Sequence, residues 1–311
     1  MSVRISAVVC THNRAAYLRR ALQSLVGQTL DQELHEIIVV DNGSQDNTKQ
    51  VVGEFSAVPN LRYLDEPLIG LSRARNTAWR NAQGEYVAYL DDDAVACPEW
   101  LAKFLDVFET FVPRPGSVGG KCEPIWEAPK PDWLSDKMLG YLSIFHWSDV
   151  PIILNEQQWL SACNIAYPKE LLQAAGGFRE DLGRQGNKLR AGGEDYLRQQ
   201  LDSWGCCSVY HPEIVVGHHI SPSRLTKRYF RRMAYWMGLS NAIMLDPGGR
   251  LSLTLRARLA LTRIGWALPR LFLMLIATSS AARFRRQCQV LEATGYVTYV
   301  TIGHRDCQFW D

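Results

Sequence analysis

Short apolar strands that end in polar clusters, with helices between them, fill the first hundred residues and leave few folds open. Ile5–Cys10 (ISAVVC) is a β-branched run, and Ala15–Gln28 follows with Leu18, Leu22, Leu25 and Val26 at helical spacing. Glu36–Asp41 (EIIVVD) reads as a second buried strand, and a Gly-Ser turn then leads into a helix over Asp46–Phe55. Leu61–Leu64, Ser72–Ala82 and Tyr86–Leu90 (YVAYL) continue the series as strand, helix and strand. Strands alternating with helices of ~10–15 residues predict a parallel sheet covered on both faces. Such sheets bind ligands beyond the carboxyl ends of their strands. Those ends carry Thr11-His12-Asn13, Asp41-Asn42 and Asp91-Asp92-Asp93, so their chemistry is expected to meet in one cleft.

The acidic triplet is the strongest of these features. Three adjacent carboxylates at the exit of a buried strand repel one another and are hard to desolvate without a cation. On an extended chain alternate residues point the same way, which pairs Asp91 with Asp93 around one divalent ion and turns Asp92 elsewhere. Oxygen donors suit Mg²⁺ or Mn²⁺, completed by water and substrate phosphates. The plainer alternative is a solvated acidic turn.

Beyond Pro98 the alternation weakens. Helices are predicted over Pro98–Phe111, Pro168–Ala175 and Glu194–Trp204, and strands over Val118–Cys122 and Ser208–Val216. Pro124–Asp149, rich in Pro and Trp, reads as an irregular loop or lid.

Five stretches in order resemble the family 2 glycosyltransferases, whose nucleotide-binding fold is called GT-A. They are Val9-Cys10-Thr11-His12-Asn13-Arg14, Val39–Ser44 with Asp46 and Thr48, Gly70–Asn76, Tyr89–Ala94, and Gly193-Glu194-Asp195. The resemblance spans roughly two-thirds of the chain, from residue 5 to about 225. It implies an α/β fold with a mostly parallel, Rossmann-like sheet flanked by helices, and a nucleotide-sugar donor.

The resemblance also implies roles. Asp41 would accept a hydrogen bond from the nucleobase imide, which favours uracil and so a UDP-sugar. Thr11 and Asn13 would line base and ribose, or cap the turn before the helix at Ala15, or both. Arg73 and Arg75 open a helix at phosphate- or sugar-facing positions. Residues two apart do not share a helix face, so one of the pair is expected on the ligand and the other in solvent or paired with an acid such as Glu66. Asp91 is expected to serve both donor and metal, and Asp93 the metal. Asp195 resembles the general base that deprotonates the acceptor hydroxyl for an inverting transfer, with Glu194 orienting it. The plainer reading of Glu194 and Asp195 is two acids complementing a helix dipole. In Val216-Gly217-His218-His219-Ile220 one histidine resembles a metal ligand. Strand alternation does not choose between the two, and His218 is favoured because His219-Ile220-Ser221-Pro222 looks like the start of an exit loop. Ser161-Ala162-Cys163-Asn164 resembles a sugar- or acceptor-contacting segment. Trp126, Trp133, Trp147 and Trp159 are candidate sugar platforms, none of them assigned.

Charge sets the remaining expectations. Between Ile214 and Leu291 there are thirteen Lys or Arg against one acid, Asp246, so the rest of the chain is acidic although the whole carries only +2. Leu251–Ala277 has apolar stretches interrupted by Arg256, Arg258, Arg263 and Arg270, and Pro269 is expected to kink it. Central arginines make a bilayer span costly, and a basic amphipathic helix lying on an anionic leaflet fits better. Packing on a second copy, a homodimer, is the alternative; no nucleic-acid motif is present. Eight cysteines without a C-x-x-C pair point to free thiols in a reducing compartment. With no signal-peptide pattern, a cytoplasmic protein peripheral on the inner face of the cell membrane is expected.

The expected organisation is a catalytic domain over 1–222, with a nucleotide-sugar half (1–120) and an acceptor half (121–222), and a basic helical extension over 223–311. The expected activity is inverting, metal-assisted transfer from a UDP-sugar to a hydroxyl of a polysaccharide or lipid-linked oligosaccharide. A nucleotidyltransferase is a rival, but it needs a Gly-rich triphosphate loop that Cys10–Arg14 does not supply. A degenerate, membrane-docked scaffold is the second rival.

Overall fold

A computed structural model describes residues 2–186, 188–246 and 250–303. The first strands form where the β-branched runs predict. β1 (Ile5–Thr11), β2 (His35–Asp41), β3 (Leu61–Asp65) and β4 (Tyr86–Asp91) pair in parallel in the order β3-β2-β1-β4. β1 and β2 are apolar on both faces and almost wholly buried, as a sheet covered on both sides requires. Helices α1 (Ala15–Val26), α2 (Thr48–Gly53) and α3 (Leu71–Asn81) make the crossovers. α1 buries Leu18, Leu22 and Leu25 of the stripe read from the sequence, with Ala21 beside them, while Val26 is left 42% exposed.

The printed pairings of the remaining strands are antiparallel. β5 (Ala94–Ala96) follows the triplet directly, and α4 (Trp100–Thr110) leads to β6 (Ser117–Trp126). β7 (Ile152–Ile153) and β8 (Asn164–Pro168) come next, then α5 (Lys169–Ala175), α6 (Gly193–Ser203) and β9 (Ser208–Ile220). β8 pairs antiparallel to β4 and to β6, and β9 pairs antiparallel to β5 and β7. The sheet order is β3-β2-β1-β4-β8-β6-β9-β5, with β7 on β9. The result is a mixed α/β sheet, parallel in its first half. Trp100, Phe104 and Phe108 of α4 and Tyr86 of β4 sit fully buried in its core.

The chain packs as two compact units. One comprises Met1–Ile125, Ser143–Glu180 and Gly193–His219; the other comprises Trp126–Leu142, Asp181–Gly192 and Ile220–Asp311. The second unit is helical: a 3-10 segment over Asp136–Leu142, then α7 (Lys227–Leu245), α8 (Leu253–Leu275) and α9 (Ser280–Ile302). Thr226, Ser252 and Ser279 cap the three helices through side-chain oxygens. α8 is one continuous helix with Pro269 inside it. α7 and α9 approach closely because glycines face backbone: a Cβ on Gly238 would lie 1.7 Å from the Glu292 carbonyl oxygen, and one on Gly295 2.0 Å from that of Tyr235. Residues 304–311 of the expected extension, with Cys307, lie outside the described residues.

Candidate active site

The triplet is built by a change of backbone direction. Asp91 ends β4, while Asp92 and Asp93 turn the chain into β5. The extended geometry assumed from the sequence therefore stops at Asp91, and a turn governs how the three carboxylates separate. Asp91 remains partly exposed, while Asp92 and Asp93 are each 5% exposed. Asp92 accepts from Thr11 Oγ1 and from Arg14 Nη1, both at 2.8 Å. Asp93 receives the same Arg14 nitrogen on Oδ2 at 2.8 Å, and its Oδ1 lies 3.1 Å from His218 Nε2. Burial works against the Arg14 charge and the two aspartates outweigh it, so its pKa stands above the ordinary value. Burial, with the Asp93 charge adding to it, raises the Asp92 carboxyl against the pull of Arg14 and Thr11.

Asp91, Asp93 and His218 each offer one ligand atom, and these atoms lie within 4.8 Å of one another. Donors ~2.1 Å from one octahedral ion are about 3.0 Å apart when adjacent and about 4.2 Å when opposite. The 3.1 Å separation of His218 Nε2 and Asp93 Oδ1 matches an adjacent pair. Two carboxylates and an imidazole form a donor set able to hold a divalent metal ion, the imidazole being the donor that least suits Mg²⁺. β9 brings His218 opposite Ala94, and its backbone neighbour His219 donates N–H to the Asp93 carbonyl. The His219 ring instead sits beside Tyr17 and Arg20.

The turns after β1 and β2 interlock. Asn13 adopts a left-handed φ of 54°, open to Asn more than to most residues, and its Oδ1 accepts from Gln45 N at 2.7 Å. Asp46, not Thr11 or Asn13, accepts the Ala15 N–H at the start of α1. Thr11 is spent on Asp92, so neither residue caps α1 with its side chain. Asp41 is buried, with Ser44 N on Oδ1 and the Tyr63 hydroxyl on Oδ2, both at 2.9 Å. Asn42 accepts from Gly70 N and donates to the Glu66 and Leu68 carbonyls, which fixes where α3 begins.

Arg73 and Arg75 of α3 are both paired, and Glu66 is the partner of neither. Arg73 pairs with Glu180. Arg75, 3% exposed, donates to Glu194 at 3.2 Å and lies 3.5 Å from Asp91. Glu66 accepts from Thr77 Oγ1 and Leu68 N, because it lies in the loop that Asn42 draws against α3. Burial opposes the Arg75 charge, but Glu194 and Asp91 outweigh it and hold its pKa above normal. Arg75 thus joins the triplet to the Glu194-Asp195 pair.

That pair opens α6. Gly176 and Gly177, both at positive φ, turn the chain so that Phe178 N and O bond to Asn76. Asp195 faces water yet is surrounded by protein; the resulting desolvation, then the charge of Glu194, raise its carboxyl to about 6. Among the described residues, no hydrogen bond or ion pair holds it. Trp147 and Trp159 pack with Phe145, and Trp133 packs between Phe230 and Phe284. Cys122 and Cys163 are free thiols with sulfurs 3.4 Å apart. Arg14 and Asp92 belong to the site although neither was expected to bind ligand or metal. A cation three residues beyond a strand that neighbours an acidic exit is the signal that marks both.

Residues 6–163 match the model of the family described as glycosyl transferase family 2. The chain belongs to that family. A glucosyl-dolichyl phosphate glucuronosyltransferase of Haloferax volcanii is 24% identical over 252 residues, covering 78% of this chain and 77% of that protein. Glycosyltransferase AglE of the same organism is 27% identical over 241 residues, 75% and 74% of the two chains. Among solved structures, a mannosyltransferase from Pyrobaculum calidifontis in complex with GDP-Man and Mn²⁺ superposes with a TM-score of 0.63 at 20% identity. It covers 96% of this chain and 88% of its own. TarS residues 1–349 of S. aureus in complex with UDP give a TM-score of 0.53 at 18% identity, covering 96% and 91%. These are GT-A glycosyltransferases, and this family 2 chain shares their fold. No helix among the described residues is long and apolar enough to cross a membrane.

Proposed function

We propose that this glycosyltransferase moves a sugar from a nucleoside-diphosphate donor to a hydroxyl of a polysaccharide or lipid-linked oligosaccharide, with inversion at the anomeric carbon. The observation that carries the reading is the joining, through Arg75, of a three-donor metal site to a carboxylate pair at a helix start. Asp91, Asp93 and His218 would hold the divalent ion. When bound, that ion stabilises the charge of the diphosphate leaving group.

The protein's own residues do the rest. Arg14 and Arg75 hold the acidic groups in place and supply positive charge beside the phosphates. Glu194 is anchored by Arg75 and orients the acceptor or Asp195. Asp195, its carboxyl raised to about 6, takes the proton of the attacking hydroxyl; a base poised near neutrality can do so without being fully protonated itself. Asp41, with Thr11 and Asn13 nearby in the β1 and β2 turns, receives the base and ribose. A ring N–H on the base suits the Asp41 carboxylate, and uridine is our first choice. The reaction is placed at the cytoplasmic face of the membrane, where a lipid-linked acceptor would be met.

A guanosine donor is the second reading. It is favoured by the neighbour in complex with GDP-Man, and guanine also offers a ring N–H. Thermal stabilisation by UDP- and GDP-sugars, with and without Mn²⁺, separates the two. Metal-dependent stabilisation by UDP-sugars alone supports the first reading. Stabilisation by GDP-sugars alone replaces it with the second, and stabilisation by neither overturns both.

A further inference from the structure

Helix α8 has one buried residue, Ala260, among its 23. Its outward face carries Leu253 (83% exposed), Leu261 (68%), Leu268 (59%), Phe272 (62%) and Leu275 (71%), with Ile264 and Leu271 alongside. At 100° per residue these positions fall in a single stripe about 100° wide, and 23 residues make it about 35 Å long. A soluble surface rarely leaves so long an apolar strip uncovered.

Three of the four α8 arginines stand off this stripe. Arg256, Arg263 and Arg270 are seven residues apart and share the opposite face. Arg256 pairs with buried Asp246 at 3.2 Å. Arg263 lies over the Tyr296 ring at 4.6 Å and Arg270 over Trp266 at 3.4 Å, and both act on the charge of Glu292. Three of the four interrupting arginines therefore face away from the stripe, and exposed Arg258 flanks it. Exposed charge in this part of the molecule is cationic: Lys227, Arg228, Arg250, Arg258 and Arg283. Between residues 220 and 303 the described acids are only Asp246, which is buried, and Glu292, which is half-buried.

We infer that α8 lies in the plane of an anionic lipid leaflet, with Leu261, Leu268, Phe272 and Leu275 among the acyl chains and Arg250, Arg258 and Arg283 at the headgroups. Charge favours this occupant over a second copy of the chain. Two α8 stripes face to face would bring like-charged helices together with no exposed carboxylate on α7, α8 or α9 to pair them. An anionic leaflet supplies both the apolar layer and the counter-charge. The inference does not rest on the donor reading, so it can fail while nucleotide-sugar binding stands.

The test is flotation of the full chain with vesicles of phosphatidylcholine alone or with 30% phosphatidylglycerol, the latter fraction set by the experimenter at roughly a cell-like anionic content. The wild type should float with the anionic vesicles and remain behind with the neutral ones. Leu261→Gln/Leu268→Gln/Leu275→Gln should lose about 100-fold or more in partitioning, with its melting temperature unchanged because all three residues are exposed. Arg258→Glu/Arg283→Glu should lose about 30-fold or more on anionic vesicles. Equal binding to both vesicle types, or triple-variant binding like the wild type, overturns the inference. So does a wild-type dimer in solution that the triple variant converts to monomer, since that result assigns the stripe to a second copy.

Discussion

Replacing Arg14 by Met tests how the acidic triplet is held together. Arg14 Nη1 bridges Asp92 and Asp93, both at 2.8 Å, and the two carboxylate side chains are only 7% and 6% exposed. Removing one partner of a fully buried ion pair costs about 3–5 kcal/mol, because an uncompensated charge stays behind. The Arg14 side chain is itself 34% exposed, so water enters and screens the site, which reduces the expected loss to about 2–3 kcal/mol. For a catalytic unit of this size that corresponds to a melting temperature lower by about 5–10 °C. The loss should depend on pH with a definite sign. The folded-state pKa of Asp92 is already raised by burial, and losing Arg14 raises it further. A carboxyl with a raised folded pKa is destabilising while ionised, so the deficit is largest at pH 7.5 and shrinks as acid protonates it. Differential scanning fluorimetry of wild type and Arg14→Met between pH 5 and 8, in steps of about half a unit over that carboxyl range, gives the comparison. A variant that melts within about 1 °C of the wild type at pH 7.5, or whose deficit grows in acid, refutes the reasoning.

Four further outcomes follow from the same geometry. The rate of sugar transfer, as kcat/KM, should fall on the acid side with a midpoint near 6, because Asp195 must be ionised to accept a proton. Asp195→Asn should bind donor normally while transfer drops by about 100-fold or more; near-normal transfer would remove Asp195 as the base. Arg75→Lys keeps the charge but cannot reach Glu194 and Asp91 from one planar fork, so it should lower kcat while circular dichroism stays native. A variant with unchanged kcat would remove Arg75 from the site. Gly177→Ala should destabilise the protein by at least about 1–3 kcal/mol. At φ 81° its Cβ would meet Asn76 Oδ1 at 2.4 Å and Trp79 Nε1 at 2.6 Å, and an unchanged denaturation midpoint would contradict that packing.

The first half of the fold was legible because its signals are local. Each apolar run of β1, β2 and β4 is short, and β1 and β2 are rich in β-branched residues, which favours a buried strand, and each polar exit is written next to it. The antiparallel half was not, since β6, β8 and β9 find partners far along the chain and no periodicity records which. Asp91, Asp93 and His218 could be listed from a resemblance, but the turn after Asp91 that brings them together depends on His219 N bonding the Asp93 carbonyl, 126 residues away in the chain. Arg73 and Glu180 form another such long-range pair, which is why Glu66 looked the better partner from sequence. Arg256, Arg263 and Arg270 of α8 are a different case. Their spacing of seven residues was visible, and a helical projection would have separated them from the leucine stripe without any structure.

Release of nucleoside diphosphate from a panel of nucleotide-sugars, measured with Mn²⁺ and again with excess chelator, bears most directly on the assignment of chemistry to this site. Wild-type protein should release diphosphate from one donor class only with the metal present, and Asp93→Ala should release none while remaining folded. Release that persists in chelator, or in Asp93→Ala, would contradict a metal held by Asp91, Asp93 and His218.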